Sequence, residues 1–306
     1  MRGTLIVLAV CALLVALGVL APGVLNAGFD ALDLALGWLG PFTVIVLVSA
    51  GVGLLFLVAL PHVSPQGAVK AVKDKIKFNL LAIRLFQDNL GSVVRSTAAT
   101  LGWNFAYIGL NLVPLFALAG PFMIVWFQLN ALYAYEPFEP GDRTTVVVEL
   151  RDDVDPHAVG IAAAGSASDG AKGWESMHRP FRLDDAGERA LVLDLEAGAP
   201  GGWELAFTYE GETIAKNFEV GTAPRRLSRI RTATPLAKFT AAKDAVLWFG
   251  ERPVLPDDAF VQSVQVVYPA AGFGVFGSGE IAVMIVFVLV SLVVAFALKG
   301  VFGVEI

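Results

Sequence analysis

Four stretches of the chain are apolar and long enough to cross a bilayer core of about 30 Å at 1.5 Å per residue. They are Thr4–Leu20, Phe42–Leu60, Leu110–Ala131 and Ile281–Leu298. The last carries no charge between Glu280 and Lys299 and is the plainest of the four. The third is interrupted by Pro114 and by Gly120-Pro121. A proline there removes a backbone donor, so a kink or support from neighbouring helices is expected. The first run follows Arg2 and precedes small residues near Ala21 and Ala27. Residues 1–22 therefore fit a signal anchor or a cleavable signal peptide, and the lack of a clean small-x-small site favours the anchor. Residues 22–41 read as a loop.

Between the second and third spans the period is helical but the faces are mixed. Val72, Ile76, Leu80, Ile83 and Phe86 recur at intervals of three and four, which predicts an amphipathic helix. Lys70, Lys73 and Lys77 share its flank, where anionic headgroups are natural contacts. Asp88-Asn89-Leu90-Gly91-Ser92 then stops one helix and starts another. The second runs from Val93 towards Tyr107 and on into the third span, so 67–108 forms a short helical hairpin.

From Thr144 the period drops to two. Thr144–Leu150, Ala190–Leu195, Trp203–Tyr209, Thr213–Val220 and Phe260–Tyr268 read as short strands separated by Gly- or Asp-rich turns. This spacing predicts an antiparallel β-sandwich over 142–268 without a disulfide. The stretch 223–245, with Arg225, Arg226, Arg229 and Arg231, breaks the pattern and reads as a loop or helical insertion on the headgroups. The expected fold is α+β: about four spans, a hairpin, a β-domain, and a last span with a short tail over 279–306.

Composition agrees with this division. The chain is 56% hydrophobic, 16% charged and has a mean hydropathy of +0.67, against about 25% charged residues in an ordinary soluble domain. That excludes a cytosolic enzyme, a disordered chain and a nucleic-acid binder of the basic-patch kind. Segment 61–108 holds six basic and two acidic residues, whereas 22–41 holds only Asp30 and Asp33. The positive-inside rule then puts 61–108 in the cytosol and 136–278 on the exported side of the cytoplasmic membrane. The exported part carries 14 basic and 22 acidic residues, which does not oppose translocation, because long domains cross largely regardless of charge.

Candidate chemistry is sparse. The lone Cys11 makes neither an internal disulfide nor a thiolate metal site, and Val10 before it argues against a lipoprotein. His157 and His178 are 21 residues apart with no ligand-spaced carboxylates, and Asp152-Asp153-Val154-Asp155 lacks the glycine and distal glutamate of a calcium loop. Ser166 and Ser168 have no nucleophile elbow around them. No catalytic, metal or cofactor site is expected.

Polarity within the apolar runs is the stronger signal. Asn104, Asn111, Gln128, Asn130, Ser49 and Ser291 lie in or beside spans, where an amide facing lipid is costly. They serve either as hydrogen-bonding glue between helices or as the lining of a hydrated groove. The order is a span into the cytosol, a hairpin, a Pro-interrupted span out and a final return. It resembles the YidC-type membrane insertase superfamily, closest to the small archaeal branch related to the third subunit of the ER membrane protein complex. The segment carrying the likeness is Trp126-Phe127-Gln128-Leu129-Asn130-Ala131-Leu132-Tyr133-Ala134-Tyr135-Glu136-Pro137-Phe138-Glu139-Pro140-Gly141. It is similar to the exit of that branch's second core span into a β segment. The ending, Leu289-Val290-Ser291 and then Ala297-Leu298-Lys299-Gly300, is similar to its last span and basic tail. The likeness covers about 42–141 and 280–304. The 136–278 domain is far larger than the family's insert, the hairpin is shorter and less charged, and only Arg95 matches the family's groove arginine.

The resemblance implies an insertase-like chaperone with no chemical step, working on membrane-protein clients and nascent chains beside anionic lipids. Arg95, Asn104, Asn111, Gln128, Asn130 and Ser291 are the expected groove residues. The alternative is a membrane-anchored β-sandwich that binds an envelope partner through Trp174, Trp203 or Trp248. An enzyme acting on lipid or peptidoglycan has no residue constellation behind it.

Overall fold

The computed structural model describes residues 2–165, 172–185, 188–221, 226–232, 255–256 and 258–301. Helices α1 (Arg2–Leu20) and α2 (Pro22–Leu36) are followed by a 3₁₀ turn (Gly37–Leu39) and by α3 (Pro41–Val63). Then come α4 (Gln66–Leu85), the 44-residue α5 (Leu90–Tyr133) and, among the described residues, nine strands and α6 (Gly279–Leu298). The architecture is α+β, with antiparallel sheets. Helices α3, α5 and α6 are each long and apolar enough to cross a membrane, and α1 and α2 pass the same test only together, as a broken pair.

Residues 22–41 are not a loop. Pro22 sits at the start of α2, where its missing N–H costs nothing. Asn26, Asp30 and Asp33 follow at intervals of four and three, so they form one polar stripe of a helix. The two-helix reading of 67–108 matches α4 and the first part of α5.

Two compact units emerge: residues 1–16, 46–124 and 287–306, and residues 17–45 and 125–286. In the first, α3 and α6 cross closely. A Cβ on Gly53 would lie 2.5 Å from the Ser291 carbonyl oxygen, so only glycine fits. Beside it the buried Ser291 hydroxyl donates to the Ser49 carbonyl at 3.0 Å. Phe122 stacks on Phe287, with ring centroids 4.4 Å apart.

The second unit contains the strands. β1 (Arg143–Leu150), β3 (Trp174–Ser176), β4 (Phe181–Asp185), β5 (Glu188–Ala197), β8 (Ile230–Thr232) and β9 (Val261–Val266) form a six-stranded sheet. Its main path is β3-β5-β1-β9-β8, with β4 also paired to β5. β2 (Gly160–Gly165), β6 (Gly201–Tyr209) and β7 (Glu212–Val220) form the other sheet in the order β2-β6-β7. Alternation decides the inward faces: Val146, Val148 and Leu150 of β1 pack with Leu191, Leu193 and Leu195 of β5, and Trp203, Leu205 and Phe207 of β6 join the same core cluster. Phe138 anchors the entry to this core, stacked on Phe218 and Tyr268 with centroids 4.9 and 4.7 Å away.

Part of the stretch predicted to break the pattern is strand β8, which pairs with β9 through Ile230↔Gln265. The remainder of 223–245 lies largely outside the described residues, as do Ser166, Ser168 and Trp248. A half-buried clamp joins the ends of α5 and α6. The Arg229 guanidinium lies over the Tyr135 ring and bonds Glu280 at 2.7 Å, and the Tyr135 hydroxyl donates to the same Glu280 oxygen at 2.8 Å.

Candidate functional site: a cleft between α3, α4 and α5

The first unit contains a cleft of about 780 Å³, within the usual range of about 300–1,000 Å³ for small-molecule sites. Each of its three helices supplies residues at helical spacing, so each presents one face. α3 gives Phe56 and Leu60, followed by Ser64 just past its end. α4 gives Gly67, Val69, Lys70, Lys73, Asp74 and Lys77. α5 gives Tyr107, Asn111, Pro114, Leu115 and Leu118.

Polarity along the cleft is graded. On α3 the lining goes from apolar to polar towards α4, and on the antiparallel α5 the polar Tyr107 and Asn111 precede the apolar Leu115 and Leu118. One end is therefore cationic and hydroxylated, and the other is hydrocarbon. Three lysines against one aspartate leave the polar end net positive. One of these lysines meets an aromatic face. The Lys73 ammonium lies 5.6 Å from the Tyr107 ring centroid, and just outside the cleft Lys75 lies 3.9 Å from that of Trp103. Pro114 has no N–H for the carbonyl of Leu110, which loosens α5 beside the lining.

The predicted groove residues divide into several environments. Asn111 lines the cleft together with Lys70, Lys73 and Lys77, and its amide donates back to the Tyr107 carbonyl at 2.7 Å. Arg95 and Asn104 are exposed on α5 outside the lining, and the Asn104 amide bonds its own helix at Thr100, 2.9 Å away. Ser291 is spent on the α3–α6 crossing. Gln128 and Asn130 belong to the second unit. There Gln128 donates to Asn26 at 2.9 Å, while Asn130 is 2% exposed and neither of its amide atoms has a partner.

Sequence reasoning missed Ser64, Asp74 and Tyr107, although Tyr107 and Asn111 are one helical turn apart. It also missed the purpose of the α2 stripe. Asp30 accepts from Arg226 at 2.7 Å, and Asp33 accepts from Tyr133 at 2.6 Å. Burial pushes the Arg226 guanidinium below its ordinary value, and Asp30 opposes that shift.

In the β-domain Trp174 and Trp203 are both core residues. The Asp155 carboxylate caps a turn by accepting from the His157 backbone N–H. Among the described residues no group of three or more His, Cys, Asp or Glu is arranged to hold a metal ion. Compared with known family models, curated proteins and solved structures, the chain has no match.

Proposed function

We propose that this protein is an insertase-like membrane chaperone, in which the cleft between α3, α4 and α5 receives a polar segment of a client during its passage into the bilayer. No chemical step is involved. The observation that carries the reading is the graded cleft, a cationic, hydroxyl- and amide-bearing end continuous with an apolar wall. A polar group moved from water into hydrocarbon without a partner loses several kcal/mol. Lysine, hydroxyl and amide groups at the mouth supply partners in place of water and so lower that cost.

In this reading α3, α5 and α6 span the cytoplasmic membrane. Helix α5, at 44 residues, is about 66 Å long at 1.5 Å per residue, more than twice the hydrocarbon thickness. Its first half with α4 therefore forms the cytosolic hairpin, and the β-domain, a sandwich of the two sheets, lies outside. The alternative is an anchored envelope-binding module; of the three tryptophans offered for it, Trp174 and Trp203 are in the core and Trp248 lies outside the described residues.

The test uses Cys11→Ser as background and single cysteines at Asn111 and Phe116 in inverted membrane vesicles. Asn111 lines the cleft, whereas Phe116 is 73% exposed and outside the lining. A membrane-impermeant thiol reagent is expected to label position 111 and spare position 116. Protection of both positions overturns the groove.

A further inference from the structure

We propose that the same cleft is a discrete site for one anionic diacyl phospholipid, which occupies it whenever no client is present. The inference rests on the membrane placement of α3 and α5 argued above, and it does not depend on client handling.

A client's polar segment needs only the polar end of the cleft, whereas a phospholipid uses both ends, cations and donors for its headgroup and hydrocarbon for its chains. Ser64 lies beyond Leu60 on one wall, and Tyr107 and Asn111 lie before Leu115 and Leu118 on the other. Both walls change from polar to apolar in the direction away from α4.

Charge sets the headgroup. Lys70, Lys73 and Lys77 are spaced along one face of α4, and Asp74 lies among them. The surplus of two positive charges more than balances the single negative charge of a phosphodiester, which favours an anionic headgroup over a zwitterionic one. Asp74 can accept from a headgroup hydroxyl, as a glycerol headgroup offers, while a choline headgroup has no hydroxyl to give. The apolar wall of Phe56, Leu115 and Leu118 receives the upper part of the acyl chains. Leu115 is 60% exposed, as a lipid-facing contact would be.

The experiment is native mass spectrometry of the full chain after delipidation and addition of phosphatidylglycerol or phosphatidylcholine. One phosphatidylglycerol per chain is expected to be retained under conditions that strip phosphatidylcholine. Lys70→Gln/Lys73→Gln/Lys77→Gln should weaken that retention by about a hundred-fold, taking about 0.7 of a decade per lysine. Leu115→Trp, which fills the apolar end at an exposed position, should also weaken it without altering charge. Lys75→Gln/Arg84→Gln/Lys299→Gln removes the same charge outside the cleft and should leave the bound lipid in place.

Equal retention of the two lipids, or equal loss from the two lysine and arginine triples, would overturn the proposal in favour of diffuse surface attraction. Displacement of the lipid by millimolar glycerol phosphate would overturn it in favour of a plain phosphate site. Client crosslinking from position 111 is read separately. Lipid retention without client crosslinks defeats the chaperone reading alone, and client crosslinks without lipid retention defeat this one alone.

Discussion

Replacing Gly53 with alanine adds one methyl group at the α3–α6 crossing. The new Cβ would lie 2.5 Å from the Ser291 carbonyl oxygen and 3.0 Å from its Cα. Ordinary contact begins at 3.4 Å, so α6 must retreat by about 0.9 Å, and the obstructing atoms are backbone that no rotamer can move. That retreat takes the Ser291–Ser49 bond from 3.0 Å to about 3.9 Å, beyond hydrogen-bonding range. Overpacking of this kind costs about 2 kcal/mol, and a lost interhelical bond in a membrane about 0.6 kcal/mol. The better helix propensity of alanine returns up to about 1 kcal/mol. The net expectation is a loss of about 1–2 kcal/mol.

Gly51, one turn-half away on α3, has nothing within 4 Å of its would-be Cβ. Gly51→Ala therefore carries only the propensity gain and should be neutral or stabilising. Unfolding of the purified chain in mixed detergent–denaturant micelles measures both variants. In a double-mutant cycle, Ser291→Ala should cost little further once Gly53→Ala is present, because the bond is already broken. A Gly53→Ala protein as stable as Gly51→Ala would refute the close crossing.

Three further outcomes are expected. Phe138→Ala removes a ring stacked on Phe218 and Tyr268 and should cost about 3–5 kcal/mol in urea unfolding followed by tryptophan fluorescence; a loss below about 1 kcal/mol contradicts the packing. Burial raises the Tyr135 phenol above its ordinary value, with Glu280 adding to the shift and Arg229 opposing it. Below about pH 10 both folded and unfolded states keep the proton. Above it the unfolded state releases the proton first, so stability falls as pH rises, and Tyr135→Phe should flatten that fall in alkaline melts; an unchanged slope removes Tyr135 from the account. Protease added to intact spheroplasts should digest the β-domain and spare the α4–α5 tip, because holding cations outside opposes the membrane potential by about 2.3 kcal/mol per charge per 100 mV; cleavage near Lys75 with the β-domain intact inverts the map.

The legible parts of this chain are those where one local rule acts without competition. Strand β1 alternates Val146, Val148 and Leu150 inward because a sheet with one buried face enforces a period of two. Helix α6 has only one reading, because Ile281–Leu298 is an uncharged apolar run. Strand β2 was not legible, because Gly-Ile-Ala-Ala-Ala-Gly has almost no β-branched or aromatic content and owes its form to pairing with β6. Strand β8 is three residues long and likewise depends on its neighbour β9. Helix α2 was readable from the Asn26, Asp30, Asp33 stripe, but carboxylates beside a span suggest a solvated loop until Arg226 and Tyr133, about 200 and 100 residues away, are known to meet them.

The site was half visible for a related reason. The lysine flank of α4 and the amide at Asn111 were each readable, because both are local spacings. Their convergence depends on how the hairpin closes. The polar side chains that looked equivalent in the sequence then separate: Ser291 goes to a helix crossing and Gln128 to Asn26, while Asn104 and Asn111 each bond their own helix and of these two Asn111 lines the cleft.

The central claim is that a client's polar segment enters this cleft, and site-specific photocrosslinking during translation of a single-span membrane protein with a short polar leading tail tests it most directly. A photoreactive side chain at Asn111 or Lys73, both in the lining, should crosslink to the tail while its span is entering the membrane. The same group at Asn104, exposed on α5 but outside the lining, should give little. Crosslinks of equal strength from position 104, or none from positions 111 and 73 with the client still inserting, would contradict the account.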